Sequence, residues 1–204
     1  MVTRTATSVD MRAQVTREAL LLAARQVLKR TGYSGATVAQ IAKEAHRAHG
    51  TFYVYFKNLE DIYANLLEDM WADLKLQGRA MWHADEPMKS VTVTIQRFIV
   101  AYQANLDLWE LAEDMSATNP QFRKLRNEHH ALLARKVCKG IEGSLPFGHI
   151  DGLDVEVLGE ILAGMLESAC RSNFRGGKNW PNEVLARHMA EVWGRALGYE
   201  TVQG

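Results

Sequence analysis

The chain has 204 residues, 47% of them hydrophobic, with 4 prolines and 15 scattered glycines, a composition that excludes a disordered segment and allows a sizeable core. Lys and Arg balance Asp and Glu at 24 each, yet residues 1–58 carry +6 and residues 59–204 carry −6. A basic head on an acidic body is a pattern seen in chains whose head meets nucleic acid, with chance clustering on solvated helix faces as the alternative.

No apolar run exceeds the six residues Ala19 to Ala24, well short of the ~20 needed to span a membrane. The polar N-terminus carries no secretory signal. A cytoplasmic chain without a membrane partner is expected, and Cys138 and Cys170 lack metal-ligand spacing and read as free buried thiols.

In chain order, residues 1–11 read as a loose Thr-rich arm. A helix follows from about Met11, with Val15, Ala19, Leu22, Ala23 and Val27 at three- and four-residue steps, and ends at Thr31-Gly32, where glycine takes the left-handed position. Thr37 and Gln40 match a capping box opening a short helix to Glu44, with Val38, Ile41, Ala42 and Ala45 apolar. After a turn, a second short helix spans about Ala48 to Tyr55. Asn58 caps a fourth helix, with Asp61 at its third position, running to about Trp82 with Ile62, Leu66, Met70 and Leu74 on one side.

Five more helices are predicted: Pro87 to about Leu106, Asp107 to Met115, Pro120 to about Ile141, Asp154 to Phe174, and Pro181 to Leu197. Gly143 to Gly152 is a loop, and Gly176-Gly177 separates the last two helices. The fold class is all-α, about nine helices and no strand. The charge pattern divides the chain into a segment 1–58 and a segment 59–204.

Two short helices joined by a tight turn and braced by a longer one make a helix-turn-helix. On a wheel, Ala48, Phe52 and Phe56 lie on one side of the second helix and Gly50, Tyr53, Val54 and Lys57 on the other, with Arg47 and His49 at the leading end. Lys57 and Tyr53 suit phosphates, Gly50 permits close backbone approach, and Thr51 and His49 offer hydrogen bonds. A short amphipathic helix in an ordinary bundle has the same wheel.

Arg17 to Ile62 resembles the N-terminal domain of the TetR family of bacterial regulators. The resemblance is carried by Ala23-Ala24, Gly32-Tyr33, Thr37, Ile41-Ala42, Ala45, Gly50-Thr51-Phe52-Tyr53, Tyr55-Phe56, Glu60 and Ile62. It implies an all-α homodimer whose recognition helices enter successive major grooves of palindromic double-stranded DNA. It also implies DNA contacts from Thr37, Val38, Arg47, His49, Gly50, Thr51, Tyr53, Tyr55 and Lys57, with Arg4 and Arg12 of the arm either adding contacts or staying loose. Three positions depart from the family pattern: His46 replaces the turn glycine, Arg47 a buried aliphatic, and Leu59 a common lysine. They bear on turn geometry and operator affinity.

The resemblance further implies that the middle helices enclose a small, largely apolar effector and that the last two helices form the dimer interface. Pocket candidates are Trp71, Leu74, Trp82, Phe98, Tyr102, Trp109, Met115, Phe122 and Met165, each equally readable as core. Interface candidates are Ile161, Gly164, Val184, Leu185, Met189, Val192, Trp193 and Leu197, with a hairpin buried within one subunit as the alternative. His129 and His130, next to Glu128, are readable as polar pocket groups or metal ligands, but they point about 100° apart, so both cannot easily bind one ion, and a solvated helix face is the leading reading. No catalytic motif is visible, and no catalytic residue, metal or cofactor is expected. A ligand-released repressor is the leading expectation. A helical sensor or interaction module with weakened DNA binding is the alternative.

Overall fold

The computed structural model describes residues 8–77, 86–142, 152 and 154–199. Among these there are nine α-helices and no strand: α1 (Ser8–Gly35), α2 (Val38–Glu44), α3 (His49–Tyr55), α4 (Leu59–Gln77), α5 (Pro87–Ala104), α6 (Leu106–Thr118), α7 (Pro120–Glu142), α8 (Val155–Phe174) and α9 (Asn182–Ala196). Two compact units meet in sequence between Met70 and Trp71. Arg4, Trp82 and all but Gly152 of the expected 143–152 loop lie outside the described residues.

The N-terminal unit forms around Leu20, Ala24, Val27, Ile41, Phe52, Ile62 and Tyr63, all buried. Helix α1 begins at Ser8, earlier than its pattern suggested, and its regular part ends at Gly32, whose φ of 68° and ψ of 176° break the helix before one further turn. Val15 and Leu22, expected on the packed stripe, are exposed, and Leu20, Leu21 and Leu28 are buried instead. Six consecutive apolar residues leave the inward face of α1 undetermined until α2 and α4 choose it.

Two charged contacts brace this unit. The Arg17 guanidinium lies 5.6 Å from the Phe56 ring centroid and donates to Asn65 Oδ1. Arg30 pairs with Glu44 at 2.8 Å across α1 and α2.

The C-terminal unit is built on α7 against α8 and α5 against α9, with α6 against α7. Asp154 caps α8, its Oδ1 accepting from the backbone N–H groups of Glu156 at 2.8 Å and Val157 at 3.1 Å. The α7–α8 approach depends on Gly159: a Cβ there would overlap Cys138 Sγ and sit 3.0 Å from the Ala134 carbonyl oxygen. By contrast, a Cβ on Gly164, one of the interface candidates, would meet nothing nearer than His130 Cε1 at 3.9 Å. Asn173, fully buried, holds the α8–α9 connection by accepting from the Trp180 N–H at 2.7 Å and donating to the Trp180 carbonyl at 3.1 Å. No helix among the described residues is long and apolar enough to cross a membrane.

Candidate nucleic-acid interface

The turn that sets α3 on α2 is fixed by local hydrogen bonds. The Gln40 N–H donates to Thr37 Oγ1 at 3.2 Å and the Thr37 N–H to Gln40 Oε1 at 2.9 Å, completing the capping box. At the other end of α2, the Arg47 N–H donates to the Ala42 carbonyl at 2.9 Å and the His46 N–H to the Lys43 carbonyl at 3.1 Å. These are the two bonds of a Schellman termination, with His46 in the left-handed position at φ 52°. The turn therefore keeps the geometry that glycine would give it, at the steric cost of a Cβ in that region.

Helix α3 presents two unlike faces. Phe52 and Phe56 point inward, at 0% and 2% exposure, with ring centroids 5.7 Å apart. His49, Gly50, Tyr53, Val54 and Lys57 are exposed. Thr51 and Tyr55 are half-buried at the flanks. Ala48, expected to pack inward, is exposed because the helix starts one residue later, with Ala48 as its extended cap. His49 and Tyr53, one turn apart, set their rings edge to face at 5.5 Å.

Of the remaining candidates, Thr37 is exposed but its hydroxyl belongs to the capping box, and Val38 is half-buried. Arg47 is exposed and donates to its neighbour's carbonyl, that of His46, at 3.2 Å. Val54, at 76% exposure, was absent from the expected contacts although the wheel put it on the outer side; an apolar residue exposed among polar ones was the available signal.

Gly50 is the informative position on this face. Its φ lies outside the left-handed region and a Cβ added to it would meet nothing within 4 Å. Neither backbone strain nor internal packing asks for glycine here.

In the C-terminal unit, Trp71, Tyr102, Trp109, Met115 and Phe122 are buried, and Leu74, Phe98 and Met165 are half-buried. The Trp71 and His129 rings stack at 4.6 Å and 12°. Trp109 meets His129 edge-on at 5.6 Å and stacks on Tyr102 at 4.6 Å. The expectation of a solvated His129-His130 face is therefore corrected. His129 falls one heptad beyond Phe122, on the same side of α7, and burial pushes its pKa down to about 3, with the His130 and Lys136 charges adding to the effect. His130 sits between Glu160 and Glu167 of α8, 3.0 Å from each. Burial raises the pKa of Glu167, and the nearby His130 opposes that rise.

The interface candidates divide. Ile161, Val184 and Val192 are exposed, at 60%, 37% and 50%, and Gly164 is half-buried. Leu185, Met189, Trp193 and Leu197 are buried within their own chain, in the unit where α9 packs on α5.

Residues 20–66, which span the turn and both short helices, match the model of the bacterial regulatory proteins of the tetR family. Over this segment the chain is similar to the tetR family. Its relatives include the fatty acid metabolism regulator protein of Bacillus subtilis, 29% identical over 181 residues that cover 83% of this chain and 89% of the relative. The uncharacterized HTH-type transcriptional regulator YdgC of the same organism is 24% identical over 176 residues, covering 83% of this chain and 87% of YdgC. Among solved structures, the fold matches the transcriptional regulator FadR from Bacillus subtilis in complex with stearoyl-CoA, with a TM-score of 0.65, 22% identity, and coverage of 86% of this chain and 96% of that one. The matched segment holds the helix-turn-helix of α2 and α3, and the proteins the chain is similar to are transcriptional regulators.

Proposed function

We propose that this regulator is a homodimeric repressor that binds a palindromic operator through α3 and is released by a small, largely apolar effector held in its C-terminal unit. The observation that carries the DNA-binding part is the α3 surface. Gly50 has open space around it and lies beside His49, Tyr53, Val54 and Lys57, with Phe52 and Phe56 anchoring the helix from behind. A backbone bare of side chain at the leading end of a recognition helix allows close approach to DNA, flanked by groups that reach phosphates and base edges.

The reading assigns the DNA-binding role to residues 1–58 and the effector and dimer roles to residues 59–204. Ile161, Val184 and Val192 form the exposed apolar part of the proposed dimer surface; a two-fold operator requires a two-fold protein. The apolar effector is supported by the aromatic lining around Trp71, Tyr102 and Trp109 and by the stearoyl-CoA bound to the FadR neighbour. Release follows if the effector prefers a conformation other than the one that fits the operator.

The test is selection of bound duplexes from a random pool at two salt concentrations. A palindromic motif bound by a dimer and weakened at high salt is expected, because phosphate contacts release counterions. No motif at either salt would overturn the reading.

A further inference from the structure

Among the described residues, six buried side-chain polar atoms have no hydrogen-bond partner, and four of them sit together: the indole nitrogens of Trp71 and Trp109 and both ring nitrogens of His129. The other two, Tyr63 Oη and Trp193 Nε1, belong to neither ring stack. Folded proteins pair nearly all such atoms, and a few unpaired atoms per hundred residues is the norm. Three helices, α4, α6 and α7, each bring one unsatisfied polar side chain to the same aromatic stack. An apolar side chain in the place of His129 would avoid the penalty, so the arrangement fits a partner from outside the chain.

The chemistry of that partner can be read from the groups. Each indole is a donor only, and a neutral imidazole is one donor and one acceptor. His129 is neutral near pH 7 because burial depresses its pKa to about 3. Donors outnumber acceptors three to one, so the complement is an acceptor, and an sp² oxygen takes two of the three donors through its two lone pairs. An anion is disfavoured: no cation of the cluster pairs with it, and the nearest imidazole, that of His130, is engaged by Glu160 and Glu167. Trp71 stacks on His129 and Trp109 stacks on Tyr102, so flat apolar surface adjoins the polar atoms.

We infer that His129, with the indole N–H groups of Trp71 and Trp109, recognises the carbonyl oxygen of an uncharged, flat apolar ligand. This rests on the effector reading above and makes it specific: the polar end of the effector is read by α4, α6 and α7.

The test titrates the full chain by calorimetry with three probes of similar size: acetophenone, ethylbenzene and benzoate. Acetophenone is expected to bind at least about tenfold more tightly than ethylbenzene, the difference one buried hydrogen bond makes, and benzoate not at all. His129→Phe is expected to abolish the preference for the ketone while raising Tm by roughly 3–8 °C, because two unpaired nitrogens leave the interior. His129→Leu serves as the second variant if the larger ring does not fit.

Equal binding of ketone and hydrocarbon, no ketone binding, or a Tm that falls in both variants would overturn the inference and mark the cluster as packing hydrated by bound water. A chain that binds ketone but no DNA overturns the repressor reading alone, and one that binds operator but no ketone overturns this inference alone.

Discussion

Replacing Gly50 by alanine separates stability from function in opposite directions. Glycine at the second position of α3 is less favourable than alanine by up to ~1 kcal/mol in a helix interior, mostly because the unfolded chain has more freedom to lose. The first turn of a seven-residue helix realises part of this, so a gain of about 0.5–1 kcal/mol is expected. No steric term opposes it, since the new Cβ meets nothing within 4 Å. For a unit of 60–100 residues that is a rise in Tm of roughly 2–8 °C. In the proposed DNA-binding mode the same methyl stands where the helix backbone meets the groove, and a tenfold or greater loss of operator affinity, about 1.4 kcal/mol or more, is expected. Scanning fluorimetry reads the first quantity and fluorescence anisotropy on a selected duplex the second. Unchanged operator affinity in the more stable variant would refute the argument that glycine answers to DNA. A fall in stability would refute the claim that nothing inside the chain needs it.

Three further substitutions and one titration follow. Tyr53→Ala is expected to weaken operator binding without loss of helical circular dichroism, since the ring is 54% exposed and its neighbour on the outer face is His49. Phe52→Ala empties a fully buried position and is expected to cost about 3–5 kcal/mol, read as a lower urea midpoint. His46→Gly removes a Cβ from the left-handed position and is expected to stabilise by up to ~1 kcal/mol, with operator binding retained. For pH, the His129 pKa falls from 6.5 unfolded to about 3 folded, so between these values the unfolded chain binds more protons. This contribution to stability is present above pH 6.5 and is lost as the pH falls toward 3, about 2–3 kcal/mol by pH 4.5. Urea unfolding at pH 7 and 4.5 checks it, and His129→Phe is expected to flatten that part of the profile.

The helices that were legible in the sequence carry their own punctuation. Thr37 and Gln40 satisfy each other across one turn, Gly32 ends α1, Asp154 opens α8 and prolines open α5 and α7, so each boundary is decided by neighbours in sequence. Facing direction was less legible because it depends on distant partners. Helix α9 has apolar residues on two sides: Leu185, Met189 and Trp193 point into the chain's own core while Val184 and Val192 stay outside. Periodicity alone cannot rank those sides. His129 was misread because its sequence neighbours Glu128 and His130 are polar, whereas its surroundings are supplied by Trp71 and Trp109, 58 and 20 positions away. The outer face of α3 was legible because short-range spacing sets it: Phe52 and Phe56 must turn inward together, which puts Gly50, Tyr53 and Val54 outside.

The contact between Gly159 and Cys138 limits how this chain can change over time. Because a Cβ at 159 would overlap the thiol of 138 and press on the Ala134 carbonyl, the two positions share one volume. A larger residue at 159 is tolerable only after 138 has shrunk, and a Cys138→Ala change makes room for Gly159→Ala more readily than the reverse order does. The order of substitutions is thus constrained: one path passes through a slightly loosened intermediate and the other through a clash between two helices. The carbonyl of Ala134 remains in either case, so the traded volume amounts to about one methyl group. In related chains residues at these two positions should vary together, small against large, even though they lie far apart in sequence.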